Sequence, residues 1–273
     1  MNHHLVKPDS KVKLSEIAAN DCGEWDGKKE EAKLRFSKLT ARLDQLQEIL
    51  YAEHKHKVLI VVQGMDGGGK DSTIRAIFEG VNPQGVRVAN FKAPTTTELS
   101  RDYLWRVHAE VPAKGEIVVF NRSHYEDVLI VRIHDLVPQS VWEKRYRHIC
   151  EFERMLADEG TLILKFCLYI NQEEQKKRLL ERLADPTKQW KFNPDDTQER
   201  KLWNQYMLTY ETMLNKTSTE FAPWYLIPAN HNWYRNLVIA NVIVDKLESL
   251  NMQYPVISGD IEAYKKKFKH LKK

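Results

Sequence analysis

The chain has 273 residues, room for one large α/β domain or two small ones, and 42% hydrophobic content is enough for a sizeable core. A formal net charge of +4 is mildly basic and permits an anionic partner without naming one. Three cysteines, Cys22, Cys150 and Cys167, form no CxxC pair and leave one over under any pairing, which argues against a disulfide scaffold; with no apolar leader and no run of membrane-span length, a cytoplasmic protein is expected.

Residues 1–26 show no clear period and read as a wrapping arm. Over residues 28–51 the pattern is helical, with Leu39, Leu43, Leu46 and Leu50 on one face. That face is read as packing on the domain's own core, with burial in a subunit interface as the alternative. "KVLIVVQ" is a continuous apolar run, as expected of a strand buried on both faces. A helix is predicted over 70–79, a second strand at "VRVANF", and a helix over 98–108. "EIVVFN" is the third strand, followed by a long helix over 141–158. "TLILKFCLYI" is the fourth strand, with a charged helix over 172–183 and another helix over 196–215. "WYLIPA" is a short fifth strand, and a last helix begins near Tyr234. The alternation predicts right-handed crossovers and a five-stranded parallel sheet with helices on both faces. The closing "YKKKFKHLKK" reads as a solvated helix end.

Between the first strand and its helix stands "GMDGGGKDST". Gly64, Gly69 and Lys70 fit the phosphate-loop pattern G-x-x-x-x-G-K-[ST], but Asp71 stands where a hydroxyl would hold magnesium. Gly67, Gly68 and Gly69 let backbone N–H groups turn inward, and the helix N-terminus adds a positive dipole end. Lys70 can reach terminal phosphates as a point charge. Asp66 would repel phosphate unless a cation lies between them, so it is read as a magnesium ligand. Asp71 is either a second ligand or a helix cap; the cap is favoured, with Ser72 as a second candidate for it.

"EIVVFNRSHYEDVLIVRIH" begins as a buried strand and ends in polar residues. Chemistry collects at the carboxyl ends of strands in open α/β sheets, and Asn121, Arg122, Ser123, Glu126 and Asp127 lie there. An ion pair tying the loop down is the plain reading for Arg122 and Asp127. In "RLLERLADPTKQWKFNPDD", Arg178 and Arg182 share one helix face, with Lys188 and Lys191 beyond. In a kinase-like fold this is where a mobile lid closes over phosphates; a solvated basic helix end is the alternative.

Together, "GMDGGGKDST", "NFKAPT", "FNRSHYEDV", "DPTKQWKF" and "TSTEFAPWYLIPA", in that order, resemble the second family of polyphosphate kinases, over residues 28–250. The resemblance implies a thymidylate-kinase-like P-loop fold with a helical lid at about 172–195, inside a kinase domain over 27–250, with an arm at 1–26 and a basic tail at 251–273. It implies phosphoryl transfer between inorganic polyphosphate and a nucleotide with Mg²⁺, for which Mn²⁺ can substitute. Asp66 would be the metal-binding or catalytic acid, Lys70 the phosphate clamp and Arg122 the holder of the transferred phosphoryl group. Arg178 and Arg182 would be lid arginines, and Lys92 would sit near the polyphosphate path. Many members carry an aspartate where this chain has Asn121, so Asp127 is taken as the replacement metal ligand beside Glu126. The pattern with Asn121 and "HYED" resembles the third subclass, which accepts both AMP and ADP, giving ADP and ATP. A homo-oligomer, dimer or tetramer, is expected, with no nucleic-acid or membrane partner.

An ATP-dependent nucleoside monophosphate kinase shares the fold. What separates them is whether the basic path of Lys92, Arg122, Arg132 and the lid runs beyond the room two nucleotides need. A GTPase-like switch usually shows N-K-x-D, and "NKTS" at Asn215 lacks the aspartate.

Overall fold

The aperiodic N-terminal arm contributes a strand. In the computed structural model, which describes residues 2–23, 25–256 and 258–270, Leu5–Val6 (β1) pairs antiparallel with residues 224–225. Two residues are too few to show an alternation, which is why the sequence carries no sign of this strand. Helix α1 (Lys29–Glu53) follows, then β2 (Lys57–Gly64), α2 (Lys70–Phe78) and β3 (Val86–Asn90). The helix expected over 98–108 is two single turns, α3 (Thr96–Leu99) and α4 (Trp105–His108). The Asp102 side chain accepts from the Leu104 N–H at 3.0 Å and diverts the backbone between them.

Strand β4 (Ile117–Asn121) leads through a 3₁₀ turn at His124–Asp127 into α5 (Ile130–Ile133), a turn the sequence does not signal. Then come α6 (Gln139–Asp158), β5 (Thr161–Tyr169) and α7 (Gln172–Ala184). The helix expected over 196–215 is α8 (Asp196–Glu199), a 3₁₀ turn at Arg200–Leu202 and α9 (Trp203–Thr217). β6 (Trp224–Pro228), α10 (Asn232–Glu248) and α11 (Ile261–His270) complete the described elements. The basic closing run lies on α11, and its last three residues, 271–273, are outside the described residues.

The sheet order is β1-β6-β5-β2-β4-β3. The five expected strands are parallel, and β1 adds an antiparallel edge. β2 lies between β4 and β5, with Val62 opposite both Asn121 and Phe166, so the ends of three strands open onto one rim. Side chains alternate along β2: Leu59 and Val61 enter one core, and Val58, Ile60 and Val62 the other. Both faces are covered, which accounts for the unbroken apolar run; each such buried side chain contributes about 1.5–3 kcal/mol. Leu43, Leu46 and Leu50 of α1 are buried with Val238 and Val242 of α10, so the leucine face does serve the chain's own core.

Beneath the β4–α5 turn lies a polar knot. The Lys165 ammonium donates to Glu153 Oε2 (2.6 Å), Tyr125 Oη (2.7 Å) and the Thr217 carbonyl (2.7 Å), and Tyr125 donates to Glu153 Oε1 (2.7 Å). Lys165 and Glu153 are fully buried, and the ammonium's three protons all have acceptors, the condition under which a buried ion pair is tolerated. The knot anchors Tyr125 and with it the turn that carries Glu126. No helix among the described residues is long and apolar enough to cross a membrane, and the three cysteines are free.

Candidate active site

The loop from β2 to α2 bends where glycine alone is comfortable. Gly64 has φ 153° and runs so close to β5 that a Cβ would lie 2.7 Å from the Leu168 carbonyl oxygen. Gly69 has φ 93°, and a Cβ there would strike the Arg235 guanidinium. Gly69 is the cap position of α2 and no side chain caps the helix, so no side chain claims its N-terminal N–H groups.

The expectation that Asp71 or Ser72 caps α2 is therefore corrected. Asp71 sits in the second helical position, and its carboxylate turns outward to accept from Asn121 Nδ2 (2.9 Å) and Lys191 Nζ (3.0 Å). Ser72 donates to the Gly69 carbonyl (2.9 Å) and accepts from Arg235 Nη2 (3.3 Å). Gly67 and Gly68 lie in the loop as expected, and the Gly67 carbonyl is taken by Arg178.

Lys70 is folded back under the loop, donating to the carbonyls of Gly64 (2.6 Å) and Met65 (3.2 Å), 3.7 Å from Asp66 Oδ1. Burial lowers its pKa, with Asp66 and Glu126 opposing. Arg122 Nη2 donates to Asp66 Oδ1 at 2.7 Å. Burial would raise the Asp66 pKa, but the charges of Lys70, Arg122 and Arg182 outweigh it and hold the carboxyl below its ordinary value. Arg122 itself has φ 60°, a conformation rare outside glycine, which costs of order 1–3 kcal/mol and aims its side chain at the loop.

Asp66, Arg122, Glu126, Asp196, Tyr206 and Tyr210 line one cavity beside the loop. Glu126 is half-buried, its pKa raised by desolvation against the pull of Arg122 and Lys70. The Gln63 amide lies between Glu126 and Ser123, its nitrogen 3.1 Å from Glu126 Oε1 when its oxygen accepts from the Ser123 N–H.

Several expected site residues lie elsewhere. Asp127 is not among the lining residues: its carboxylate accepts from Arg145 Nη1 at 2.9 Å, so the expected second metal ligand turns away from Asp66. The plain ion-pair reading holds for both residues, but with different partners: Asp127 with Arg145, Arg122 with Asp66. Ser123 is 1% exposed and its Oγ accepts from the Tyr125 N–H at 3.2 Å; it caps the 3₁₀ turn rather than facing substrate. Arg178 is spent on the framework: it donates to the carbonyls of Gly67 (3.0 Å), Ala229 (2.7 Å) and Asn230 (3.1 Å), to Asn232 Oδ1 (3.2 Å) and to Glu174 Oε1 (2.8 Å). Arg182, one turn on, lies close enough to act on Asp66 electrostatically. Arg132 stacks on Trp142, 4.8 Å from the ring centroid, and reaches Tyr146 Oη, on the α5–α6 side of the cavity. Lys92 is exposed beyond β3.

Gln63, Asp196, Glu199, Tyr206, Tyr210 and Arg235 are site residues that the sequence reading does not identify. In the Pro194-Asp195-Asp196 turn the acids follow the lysines Lys188 and Lys191, which draw the reading towards a basic lid. Nothing local marks Arg235, whose guanidinium is buried among Ser72, Asn232 and Asn236.

Among the described residues no three His, Cys, Asp or Glu side chains are grouped to hold a metal by themselves. That suits Mg²⁺, which takes one or two carboxylates and fills its octahedron with water and phosphate oxygens. Asp66 and Glu126 offer such carboxylates, and Asp196 Oδ2, buried beside them without a hydrogen-bond partner, marks unmet demand for a donor or cation in the same cavity.

The family model for Polyphosphate kinase 2 matches residues 26–255. The chain is 58% identical over 255 residues to the AMP/ADP-polyphosphate phosphotransferase of Meiothermus ruber, covering 93% of this chain and 96% of that one. It is 44% identical to the ADP-polyphosphate phosphotransferase of Rhodopseudomonas palustris, covering 86% of this chain and 88% of the relative. The crystal structure of polyphosphate kinase 2 from Arthrobacter aurescens TC1 superposes with a TM-score of 0.94 at 38% identity, over 97% of this chain and 95% of that one. A P-loop α/β sheet with this rim of charged side chains, matched along nearly its whole length, places the chain in the polyphosphate kinase 2 family.

Proposed function

We propose that the chain moves phosphoryl groups reversibly between inorganic polyphosphate and adenine nucleotides, converting AMP to ADP and ADP to ATP with Mg²⁺, or Mn²⁺ in its place. The observation that carries this is the contact set Lys70–Asp66–Arg122 on adjacent parallel strand ends, in a chain so similar to the Meiothermus ruber AMP/ADP-polyphosphate phosphotransferase.

In this reading the α2 N-terminus receives phosphate oxygens, and Lys70 exchanges loop carbonyls for them as a compact positive charge. Arg122 offers a planar fork to the phosphoryl group in transit. Asp66 and Glu126 hold the metal, with Glu126 in the second place that the sequence assigns to Asp127. Bound Mg²⁺ supplies the concentrated charge that lets two polyanions approach in line. The chain forms no covalent intermediate; placement and electrostatics carry the rate.

Residues 27–250 form the kinase domain, flanked by an arm (1–26) and a tail (251–273). The segment from 172 to 195 is the lid, with Arg182, Lys188 and Lys191 as its cations and Arg178 as its fixed root. Lys92 and Arg132 extend the basic path. We place the enzyme in the cytoplasm, consistent with its free cysteines. It acts as a homo-oligomer, for which the exposed apolar side chains Val256, Ile261, Tyr264 and Phe268 supply a surface.

The test is to mix purified protein, Mg²⁺, polyphosphate and AMP without ATP. ADP and then ATP should form. If AMP is phosphorylated only when ATP is the donor, the chain is an ATP-dependent nucleoside monophosphate kinase and the proposal fails.

A further inference from the structure

Four carboxylates line the cavity beside the P-loop, Asp66, Glu126, Asp196 and Glu199, against the single guanidinium of Arg122. Three have partners. Asp66 accepts from Arg122, Glu126 faces the Gln63 amide, and Glu199 accepts from Tyr206 Oη at 2.5 Å and lies 3.2 Å from His134 Nε2. Asp196 differs. The residue is 6% exposed, and its Oδ2 is buried with no hydrogen-bond partner. A carboxylate oxygen so placed calls for a donor or a cation. Arg122, Arg182 and Lys70 offset part of the negative charge in the cavity, and the leftover oxygen of Asp196 beside Asp66 favours the cation.

Asp196 also stands at a mechanically useful place. It is the first residue of α8, directly after the segment 185–195 whose Lys191 reaches over to Asp71 of α2. Asp66 belongs to the P-loop and lines the same cavity. A cation between the two acids would tie the start of α8 to the P-loop.

We infer that Asp196, the residue just past the lid segment, is a divalent-cation ligand, and that a Mg²⁺ ion shared between Asp66 and Asp196, directly or through its water, couples metal binding to closure of the end of the lid and its junction with α8, residues 185–200, over the P-loop. The inference rests on the reading that Asp66 holds the metal. It adds a role for the metal before any phosphate arrives: the ion docks the lid.

The probe is Mn²⁺ alone, added to the full chain without nucleotide or polyphosphate. Bound and free Mn²⁺ are separated by electron paramagnetic resonance, and amide hydrogen exchange of residues 185–200 is followed with and without Mg²⁺. The wild type should bind Mn²⁺ saturably, and its lid amides should exchange more slowly when metal is present. Asp196→Asn should weaken Mn²⁺ binding by about 10-fold or more, as loss of an orienting or ligating group at a metal site does, and abolish the metal-dependent protection. Its melting temperature in EDTA shows whether the variant folds; should it not, the wild-type lid response decides alone. Asp66→Asn separates the two readings. If Asp66→Asn weakens Mn²⁺ binding and Asp196→Asn does not, the lid inference is overturned while the P-loop metal survives. If neither weakens it, both fall. A wild type with no saturable Mn²⁺ binding in the millimolar range, or with lid exchange indifferent to metal, also overturns the inference.

Discussion

Asn121 Nδ2 donates to Asp71 Oδ1 at 2.9 Å and to Asn90 Oδ1 at 2.9 Å, so the last residue of β4 ties the first turn of α2 to the end of β3. A neutral amide can do this because it brings donors to an acid. Asn121→Asp sets two carboxylates face to face, and the pair must share a proton, part, or recruit a cation. Any of these moves charge at the rim where acceptors of two lengths must be served. The ratio of kcat/KM for AMP over ADP should therefore shift, by about 10-fold for each 1.4 kcal/mol of differential transition-state binding. Steady-state kinetics with both acceptors, beside a melting curve, decide it. An unchanged ratio with a lower Tm leaves Asn121 as a brace only.

Arg178 and Arg182 share a face of α7 but not a task. Arg178 holds three backbone carbonyls, and Arg178→Glu brings a carboxylate to those oxygens. Bonds to charged groups are worth about 1.5–3 kcal/mol, so a loss of a few kcal/mol and a Tm lower by several degrees are expected, along with reduced kcat. Arg182→Glu should leave the Tm in place and raise KM for polyphosphate, with a weaker dependence on salt. Equal Tm values for the two variants would count against the division drawn here.

What can be read from sequence is local. The apolar run of β2, the glycine loop and the leucines of α1 carry their signal within a short stretch of chain. The fate of individual site residues is not local. Glu126 and Asp127 are neighbours of the same chemistry, yet a 3₁₀ turn sends one into the cavity and the other to Arg145. Arg178 and Arg182 repeat at helical spacing, but only the first bonds to the Gly67 carbonyl of the P-loop. Arg235 reaches Ser72 across 163 residues of chain, a distance over which no spacing rule speaks. Asp196 follows Lys188 and Lys191 in a segment read as basic, and burial of an acid leaves no mark on composition.

Lys70 is the ammonium under the loop, so Lys70→Ala should cut kcat by roughly 10²-fold or more, as removal of a preorganised electrostatic group does. Asp66→Asn should be similarly severe, with part of the activity restored at high Mg²⁺. Turnover measured over a Mg²⁺ series distinguishes a metal ligand from a residue that only positions Arg122; loss insensitive to metal would assign Asp66 the second role.

Asp127 gives a prediction about stability rather than turnover. Burial raises its carboxyl to about 6, with the Arg145 and Arg106 guanidinium groups offsetting part of the cost. The unfolded chain ionises it near its ordinary value of 3.8. A group raised on folding favours the native state fully below the unfolded pKa and loses that contribution as pH climbs through the folded one. The wild type should therefore give up about 3 kcal/mol from this residue between about pH 4 and pH 7. An asparagine side chain at this position cannot ionise but still presents an oxygen to Arg145. The stability of Asp127→Asn relative to wild type should then improve by up to about 3 kcal/mol on moving from about pH 4 to about pH 7.5, read from urea unfolding at both values. A relative stability that falls with pH would mean that the ionised pair with Arg145 outweighs desolvation, and that the charge of Asp127 is held there at a gain.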